Sequence, residues 1–348
     1  MQSADQTTSS FDGESLDGMV SLHIDAADAV EHIADRLRQQ VGEVLHRRGA
    51  IVAMSGGVDS SVCAALAVRA LGPARVLGVF MPECDSDPLS LELALRLAEQ
   101  LQIQHVTEDI APILAACGCY ARRDAAIRRL VPEYESDWRC KLVLPGGRLD
   151  DDHLNVYHLV VQAPGEVERS IRLPPREYRE IVAATNFKQR ARKMLEYYHA
   201  DRLHYAVVGT PNRLEYDQGF FVKGGDGLAD AKPIAHLYKT QVYELAEALG
   251  VPSEIRSRPP TTDTYSLAQS QDEFFFALPL RTMDIVLAAK NAGLSAEATA
   301  GHLGFETRQV ERVYRDIERK RATTRYLHTG PLLVEHMPDV DSTRGGTP

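Results

Sequence analysis

An apolar segment that passes through two glycines and three serines into a helix-like pattern is the most constraining feature of this sequence. Residues 51–72 read IVAMSGGVDSSVCAALAVRALG. Where a buried strand turns directly into a helix, the helix N-terminus presents unpaired N–H groups and a partial positive charge, which suit a phosphate. Gly56 and Gly57 let the backbone approach such a group closely. The segment predicts a phosphate-binding turn, and a plain strand-to-helix turn of small residues is the alternative.

The side chains of this turn indicate what kind of phosphate compound it holds. Ser55, Ser60 and Ser61 supply hydroxyl donors, whereas the carboxylate of Asp59 repels phosphates unless a divalent cation lies between them. The turn therefore predicts a nucleotide together with Mg²⁺. No lysine follows the second glycine, so the pattern GxxxxGK[ST] is missing and a P-loop ATPase or kinase is disfavoured.

Strand-like and helix-like segments alternate along the first third of the chain. A helical pattern with Asp25 as its N-cap precedes the apolar strand Ala50–Met54, and a second apolar strand covers Arg75–Pro82. Helical spacing over Leu91–Leu101 leads into the extended segment QHVTEDI at 104–110. This alternation predicts an α/β fold with a parallel sheet covered on both faces.

Composition and charge exclude several classes of protein. The formal net charge is −10, whereas proteins that bind nucleic acid usually show a basic excess or stripe. No run approaches the roughly 20 apolar residues of a membrane helix, and the polar, acidic N-terminus lacks a signal pattern. We therefore expect a cytoplasmic protein with no nucleic-acid or membrane partner. The five cysteines lack zinc-site spacing, so we expect reduced thiols.

Composition also divides the chain into a domain and two tails. Residues 1–22 are rich in Ser, Asp, Gly and Thr, have little apolar surface to bury, and are predicted to be a disordered tail. One domain is expected over residues 23–330. An irregular C-terminal tail is expected over residues 331–348.

The turn SGGVDSS resembles the pyrophosphate-binding loop of the N-type ATP pyrophosphatases. Members of that superfamily share a doubly wound, mostly parallel sheet of the adenine nucleotide alpha hydrolase type. They split ATP between its α and β phosphates to adenylate a substrate. The resemblance implies that the whole loop binds ATP, through Ser55, Gly56, Gly57, Val58, Asp59, Ser60 and Ser61.

Three later segments resemble the ammonia-dependent NAD synthetase family in order and spacing. They are NFKQRARKMLEYYHA (186–200), VVGTPNRLEYDQGFFVKGGDGLADAKPIAHLYKTQVYELAEALGVP (207–252) and RPPTTD (258–263). The resemblance covers nearly all of residues 25–130 and 180–320.

Polar residues in these segments are candidates for the ATP site. Thr210 follows an apolar strand, at the carboxyl edge of the sheet where ligands bind in open α/β folds. Glu215 lies just beyond it and has the hard oxygen ligands to complete a Mg²⁺ site with Asp59. Lys239 opens a helix, where its charge can neutralise a pyrophosphate leaving group, and Thr261 matches a family threonine that faces the phosphates. Catalysis is therefore assigned to Asp59, Thr210, Lys239 and Thr261, and solvated surface side chains are the alternative.

A second group of residues is predicted to bind the carboxylate substrate. Asn186 and Arg190 are one helical turn apart and share a face, and the matching family residues contact deamido-NAD. Lys223, Asp226 and Asp230, in KGGDGLAD, resemble the family's site for the nicotinate ribose. Turn and cap chemistry is the alternative for the two aspartates.

The resemblance implies a two-step reaction. The carboxylate of deamido-NAD attacks the α phosphate of ATP, which gives an acyl adenylate and pyrophosphate, and ammonia then displaces AMP to form the amide. The chain begins almost directly on the synthetase helix, so we expect free ammonia or a separate glutaminase as the nitrogen source. The resemblance also implies a homodimer.

Two other functions stay open at this point. One is the same adenylation and amidation chemistry on a different carboxylic acid. The other is a catalytically inactive, nucleotide-binding regulatory protein, against which intact Asp59, Glu215, Lys239 and Thr261 argue. A tRNA-thiolating enzyme is disfavoured because no cysteine stands in a catalytic motif and no basic RNA surface is evident.

Two segments depart from the family pattern. WRCKLVLP, LNVYHLVVQAP and ERSIRLPP alternate apolar and polar residues between turn signals, which predicts a small antiparallel β insertion over residues 134–178. This insertion is either inert decoration or a lid, interface or specificity element close to the Asn186 helix. Thr264, Tyr265 and the run Phe274–Phe276 also depart from the pattern, and they either fill the core or reshape a pocket.

The C-terminal part returns to the family plan. Residues Leu294–Lys320 have helical periodicity, with Ser295 as a cap and Gly304 as a turn. This arrangement looks superficially like a helix-turn-helix. DNA recognition is disfavoured because NAD synthetases end in similar helices and the chain is acidic.

Overall fold

The computed structural model describes residues 20–144, 157–261, 264–269, 275, 278–335 and 337. Most of the two predicted tails lies outside these residues, and so do Phe274 and Phe276. Residues 20–25 and 329–335 form no helix or strand. The domain boundaries drawn from the sequence stay predictions.

A parallel sheet of four strands forms the centre of the described structure. Its strands lie in the order β3 (Gln104–Thr107), β2 (Val76–Phe80), β1 (Ala50–Ala53) and β7 (Ala206–Val208). Ala50 pairs with both Val76 and Ala206, so β1 is central. All pairings are parallel, so the carboxyl ends of the four strands meet at one edge. The predicted parallel sheet is confirmed.

Helices cover both faces of this sheet. One face carries α1 (Ala26–Gln39), α2 (Val58–Leu71), α3 (Pro88–Gln100) and α8 (Lys239–Ala248). The other carries α4 (Ala111–Ala116), α5 (Cys119–Arg128) and α6 (Pro175–Leu203). Successive side chains of a strand point to opposite faces, so Ala50 and Val52 join the first core while Ile51 joins the second. The doubly wound fold expected from the sequence is confirmed.

The C-terminal helices form a smaller layer of their own. Further α-helices in the described ranges are α7 (Arg213–Gln218), α9 (Ser253–Arg256), α10 (Leu280–Asn291), α11 (Ala296–Leu303) and α12 (Thr307–His328), of which α9 packs Ile255 into the first core. Buried side chains of α7, α10 and α12, among them Leu214 and Ile317, pack into a separate core. Ser295 accepts a hydrogen bond from the N–H of Ala298 at 3.1 Å, and Gly304 ends α11 with a φ of 66°. The predicted cap and turn are confirmed.

A three-stranded antiparallel sheet, called here the inserted sheet, lies between α5 and α6 in the chain. Its strands are β4 (Arg139–Val143), β5 (His158–Gln162) and β6 (Arg169–Arg172), with β5 in the middle. Buried side chains such as Cys140 and Leu159 pack against Ile127 of α5 and Ile181 of α6. The predicted β insertion is therefore confirmed as a sheet. Its last predicted residues belong to the helix, because α6 begins at Pro175.

Two further expectations concern membranes and cysteines. Among the helices in the described ranges, none has the length and apolar character needed to cross a membrane. All five cysteines are free thiols in the structure. Cys63, Cys119 and Cys140 are buried.

The turn between β1 and α2 requires glycine at one position only. Gly56 has a φ of +74°, and a Cβ built there would lie 2.2 Å from the backbone oxygen of Ser90. Gly57 is the N-cap of α2 with a φ of −90°, and a Cβ built there would lie 3.4 Å from the Ser55 hydroxyl. Only Gly56 has a left-handed backbone conformation and also lies so close to α3 that a side chain would clash.

We therefore expect Gly56→Ala to lower the free energy of unfolding by about 1–3 kcal/mol, because a side chain at this φ is strained and the backbone of Ser90 cannot yield easily. Gly57→Ala is the matched control and should cost less, about 0.5–1 kcal/mol, because it only replaces the N-cap glycine by the poorer cap alanine. Chemical denaturation of both variants measures the difference. Equal destabilisation by the two substitutions would contradict the prediction.

Candidate active site

The turn after β1 lies at the carboxyl edge of the parallel sheet, at the N-terminus of α2. The hydroxyl of Ser60 donates to the backbone oxygen of Gly57 at 3.0 Å, and that of Ser61 donates to the same oxygen at 2.8 Å. Ser55 and Ser60 hydroxyls lie 3.2 Å apart. Because each hydroxyl has one donor hydrogen, Ser60 and Ser61 use theirs to shape the loop in this structure.

Four side chains from the first turns of three helices meet beside this loop. Asp59 of α2 accepts hydrogen bonds from Asn212 Nδ2 at 3.1 Å and from Lys239 Nζ. Lys239 is the first residue of α8, and Asn212 is the N-cap of α7. Glu215 completes a capping box with Asn212, whose backbone N–H it accepts at 3.0 Å. The helix N-termini favour negative charge here, which suits a phosphate.

Burial and mutual repulsion shape the protonation of this cluster. Burial, and then the nearby carboxylate of Asp59, raise the pKa of Glu215 to about 8. Burial opposes the charge of Lys239, but attraction to Asp59 and Glu215 outweighs it and holds the pKa of Lys239 above its ordinary value. The cluster therefore has a protonated lysine paired with Asp59, and a Glu215 carboxyl whose ionisation is disfavoured by burial and by the charge of Asp59.

A buried aspartate holds the N-terminus of α8 in place. Asp284 of α10 is fully buried, and its carboxylate accepts hydrogen bonds from the backbone N–H groups of Lys239 at 3.2 Å and Thr240 at 2.7 Å. Burial raises the pKa of Asp284 to about 6, although these N–H groups favour the ionised form. Asp284 therefore positions the backbone that carries the Lys239 side chain.

A cavity of about 500 Å³ opens from this cluster along α6. Predicted site residues on its wall are Ser55, Gly57, Val58, Asp59, Ser60, Asn186, Arg190, Thr210, Glu215, Lys223, Asp226, Lys239 and Thr261. A second cavity of about 410 Å³ lies at the carboxyl ends of β1 and β2. The two adjoin, since Ser55, Thr210, Thr261, Gln189 and Asp226 line both.

Three of the predicted site residues do not join this wall. Gly56 provides the tight turn behind it, and Ser61 is buried with its hydroxyl on Gly57. Asp230 accepts hydrogen bonds from the backbone N–H of Val207 at 2.8 Å and from the hydroxyl of Tyr197 at 3.1 Å. Asp230 therefore links β7 to α6, and its predicted contact with the substrate stays a prediction.

The predicted residues of the KGGDGLAD segment are held by contacts of their own. Lys223 Nζ donates to the backbone oxygens of Tyr326 at 2.6 Å and Thr329 at 2.8 Å, at the end of α12. Asp226 accepts the backbone N–H of Val222 at 2.7 Å, and burial raises the pKa of the Asp226 carboxyl. Lys223 thus ties the last turn of α12 to the cavity wall.

Sequence reasoning missed several residues of the site. Asn212 was readable as the cap of an N-x-x-E capping box, but its bond to Asp59 was not. Arg258, which stands in RPPTTD, donates to the Ser90 hydroxyl at 2.9 Å and to Asp87 at 2.8 Å. Asp284 gave only a weak signal, an acidic residue within the apolar helix α10.

These features define a class: a nucleotide-binding α/β protein with an acidic, lysine-containing cluster at the carboxyl edge of a parallel sheet. The family model described as NAD synthase matches residues 29–131 and 165–325. The chain belongs to the NAD synthase family.

Two relatives of this chain carry the same name. The NH(3)-dependent NAD(+) synthetase of Rhizobium rhizogenes is 57% identical over 315 residues, which cover 90% of this chain and 95% of that protein. The protein of the same name from Rhizobium meliloti is 55% identical over 321 residues, 92% of this chain and 96% of that protein. The resemblance drawn from the sequence motifs is confirmed.

Solved structures agree in fold. An NMN synthetase from Francisella tularensis superposes with a TM-score of 0.60 at 21% identity, covering 90% of this chain and 100% of that one. An NH3-dependent NAD synthetase from Campylobacter jejuni gives a TM-score of 0.58 at 19% identity, with the same coverage. At this identity the likeness establishes the fold alone.

Two substitutions of Asn212 separate its two roles. Asn212→Ser keeps a good helix cap, so it should change the unfolding free energy little, whereas Asn212→Ala should cost about 1 kcal/mol. Both remove the hydrogen bond to Asp59, and both should weaken nucleotide binding by about tenfold or more. Denaturation and calorimetric titration with ATP measure the two effects. Unchanged ATP affinity in the Asn212→Ser variant would show that the hydrogen bond to Asp59 does not contribute to nucleotide binding.

The raised pKa of Asp284 predicts a pH-dependent stability. Its folded pKa of about 6 lies above the ordinary value of 3.8, so between these values the folded state binds more protons and stability falls as pH rises. At 1.36 kcal/mol per pKa unit, the wild-type advantage over Asp284→Asn should shrink by roughly 2.5 kcal/mol from pH 4 to pH 7, because the unfolded carboxyl is already about half ionised at pH 4. Denaturant unfolding of both proteins across this range measures it. A constant difference would refute the assignment.

Proposed function

We propose that this chain is an ammonia-dependent NAD synthetase that adenylates the carboxylate of deamido-NAD with ATP and aminates it to NAD, releasing AMP and pyrophosphate. One observation carries the proposal: the Asp59, Asn212, Glu215 and Lys239 cluster meets a phosphate-binding turn where two cavities adjoin. The family and the shared name of the relatives support it. One cavity for each of two large substrates is what this reaction requires.

ATP is assigned to the turn and the second cavity. Phosphates at the N-terminus of α2 meet unpaired N–H groups and the Lys239 charge. The adenosine then lies at the carboxyl ends of β1 and β2, where apolar side chains such as Met54, Phe80 and Met81 line the wall. Thr210 and Thr261, which line both cavities, place hydroxyls between the two substrates.

Deamido-NAD is assigned to the first cavity, along α6. Asn186 and Arg190 offer donors to its phosphates and hydroxyls, and Lys223 and Asp226 lie on the facing wall. Asp230 is less suited to this role, because its carboxylate is already bonded to Val207 and Tyr197. The reactive carboxylate would then reach the junction at Thr210.

The first step forms an acyl adenylate. A carboxylate oxygen of the substrate attacks the α phosphorus of ATP, a new P–O bond forms, and the bond to the pyrophosphate oxygen breaks. Lys239 stabilises the charge that develops on the leaving pyrophosphate, and Asp284 keeps its backbone in place. Catalysis here is electrostatic and positional, without a covalent enzyme nucleophile.

The second step forms the amide. Ammonia attacks the acyl carbon, the C–O bond to AMP breaks, and one proton leaves the nitrogen. Asp226 is the better placed acceptor of that proton, because it lines both cavities and burial raises the pKa of its carboxyl. The products are NAD, AMP and a proton.

The residues present fit a Mg²⁺ ion. No group of three or more His, Cys, Asp or Glu within the described ranges is arranged to hold a metal, but Mg²⁺ is usually held by one or two carboxylates plus substrate phosphates and water. Asp59 and Glu215 supply two carboxylates whose repulsion contributes to the raised pKa of Glu215. A bound Mg²⁺ would neutralise charge on the ATP phosphates.

The two other functions considered from the sequence are not favoured. Relatives at 55–57% identity are named for NAD synthesis, which argues against a different acid and against an inactive regulatory protein. A cytoplasmic location, a homodimer, and free ammonia or a separate glutaminase as nitrogen donor remain parts of this proposal, and the homodimer rests on the family resemblance.

The test is conversion of deamido-NAD by the purified chain with ATP, Mg²⁺ and ammonium. AMP and NAD, followed by mass spectrometry, should appear together and only when deamido-NAD is present. Asp59→Asn and Glu215→Gln should lower the rate by about 100-fold or more, because each removes a carboxylate that would hold Mg²⁺ beside the ATP phosphates. Glu31→Gln is the control, since that carboxylate is exposed and pairs with Arg69.

Two results would contradict the proposal. ATP binding without AMP formation dependent on deamido-NAD would direct the search to another carboxylate. AMP formation that survives both active-site substitutions would refute the roles of Asp59 and Glu215.

A further inference from the structure

A segment that follows Thr261 lies along the outer edge of the inserted sheet. β4 is at one edge of this sheet, beside β5. An edge strand presents N–H and C=O groups to which a further segment of chain can bind. Residues 264–269, which form no helix or strand of their own, make such contacts. The inserted sheet therefore reaches a part of the chain next to a predicted ATP residue.

One buried residue of β4 bonds to this segment through its backbone. The N–H of Leu267 donates to the oxygen of Cys140 at 3.1 Å. The N–H of Cys140 in turn donates to the hydroxyl of Ser266 at 2.9 Å. Cys140 is buried, and a buried backbone group that loses its partner is costly. These two bonds therefore hold the segment firmly against β4.

Side chains extend this contact along the next residues of β4. The Nζ of Lys141 donates to the backbone oxygen of Ala268 at 3.2 Å. The side-chain amide of Gln269, which is buried, donates to the backbone oxygen of Leu142. The partners advance in the same direction on both sides of the contact, so the segment runs parallel to β4.

The start of the segment is held from two sides. Tyr265 is buried in the core of the inserted sheet, together with Cys140 and with Ile181 of α6. The Nζ of Lys188, also on α6, donates to the backbone oxygen of Thr264 at 2.7 Å. Residues 264 and 265 are therefore fixed between the inserted sheet and α6.

The inserted sheet is itself packed against α6. Tyr157 directly precedes β5, and its ring stacks on that of Tyr178 in the first turn of α6, with centroids 4.5 Å apart and an interplanar angle of 21°. The N–H of Leu173 donates to the backbone oxygen of Tyr157 at 2.9 Å, two residues before α6 begins at Pro175. The sheet therefore supports the segment from a position fixed by the substrate helix.

This support lies largely outside the part of the chain that matches the family model. The match covers residues 29–131 and 165–325, so the interval between its two parts contains all of β4 and β5. Thr261 and residues 264–269 lie within the second part. An element outside the family match thus binds a segment inside it.

Thr261 connects this contact to the candidate active site. It lines both cavities and precedes Thr264 by three residues, so the two Cα atoms are at most about 11 Å apart. A fixed Thr264 therefore restricts where Thr261 can lie. A loop that is ordered before its ligand binds spares the binding step the entropy cost of ordering it. We therefore expect the contacts with β4 to favour ATP binding through Thr261.

We propose that the inserted sheet positions Thr261 for ATP, with β4 holding residues 264–269 and Ser266 acting as a positioning residue. The inference rests on the proposed function in one respect, the assignment of ATP to the site of Thr261. Ser266 bonds to β4 and acts on ATP through Thr261. Loss of its hydroxyl weakens ATP binding only while the Thr261 hydroxyl is present. The inserted sheet then has a role in nucleotide binding and is not inert decoration.

A double-mutant cycle tests the proposal. Calorimetric titration with ATP and Mg²⁺ is carried out on the wild-type chain, Ser266→Ala, Thr261→Ala and the double variant. Ser266→Ala should weaken ATP binding by about fivefold, the effect of one net hydrogen bond. Thr261→Ala should weaken it at least as much. The double variant should match Thr261→Ala within about twofold, because Ser266 then has no hydroxyl left to position.

Matched substitutions separate positioning from folding. Ser266→Thr keeps the hydroxyl and should keep the wild-type affinity. Ser170→Ala should also keep it, since it removes a contact with His158 Nδ1 at 3.1 Å in β6, at the other edge of the sheet. Thermal unfolding is measured for every variant. If Ser266→Ala does not fold, its place in the cycle is taken by Lys141→Met, which removes the donor to Ala268 from the β4 side.

Each outcome decides the question. A loss of affinity in Ser266→Ala that disappears in the Thr261→Ala background supports the inference. Unchanged affinity in either single variant overturns it, and so do independent losses that multiply in the double variant. An equal loss in Ser170→Ala would assign the sheet to folding alone and overturns it as well.

The same measurements separate this inference from the proposed function, because the titration needs no deamido-NAD. A wild-type chain that forms no NAD but shows the coupling between Ser266 and Thr261 overturns the proposed function alone. A wild-type chain that forms NAD without this coupling overturns this inference alone.

Discussion

The ion pair between Lys239 and Asp59 is the interaction on which the rest of the site depends. The two residues are 180 positions apart in the chain, and their side chains are only 2% and 17% exposed. Loss of either partner would leave a buried charge without compensation, which costs far more than the pair gains. The pair therefore holds the N-termini of α2 and α8 in one relative position, and the phosphate-binding turn with them.

Neighbouring groups extend this constraint to two further helices. Asn212 joins the Asp59 carboxylate to the N-terminus of α7, and Asp284 joins the N-terminus of α8 to α10. The same arrangement is favourable for phosphate and unfavourable for carboxylates without a cation, because Asp59 and Glu215 repel each other. The repulsion between Asp59 and Glu215 therefore destabilises the empty site, and the same two carboxylates suit a nucleotide that binds together with a cation.

A second buried network holds the opposite wall. Lys188 of α6 is fully buried, and its Nζ donates to Glu83 at 2.9 Å, to Asp85 at 2.6 Å and to the backbone oxygen of Thr264 at 2.7 Å. These bonds use all three donors of an ammonium group. They connect the loop after β2, the substrate helix and the segment that follows Thr261. The inserted sheet fastens the same segment from the other side, so both cavities have rigid walls.

The sequence by itself determined the parallel sheet, the phosphate-binding turn, the helix caps and the family, because each depends on local spacing: alternation of strands and helices, glycines in a turn, or a motif read in order. Only the tertiary structure decided which polar residues meet. It showed that the Asp230 carboxylate bonds to β7 and α6, and it brought Asp284 and Asn212 next to the predicted site residues. It also placed Tyr157 of the inserted sheet against α6. Such contacts join segments that are far apart in the chain. They form only when the helices and strands pack and bury these side chains, so no local sequence pattern predicts them.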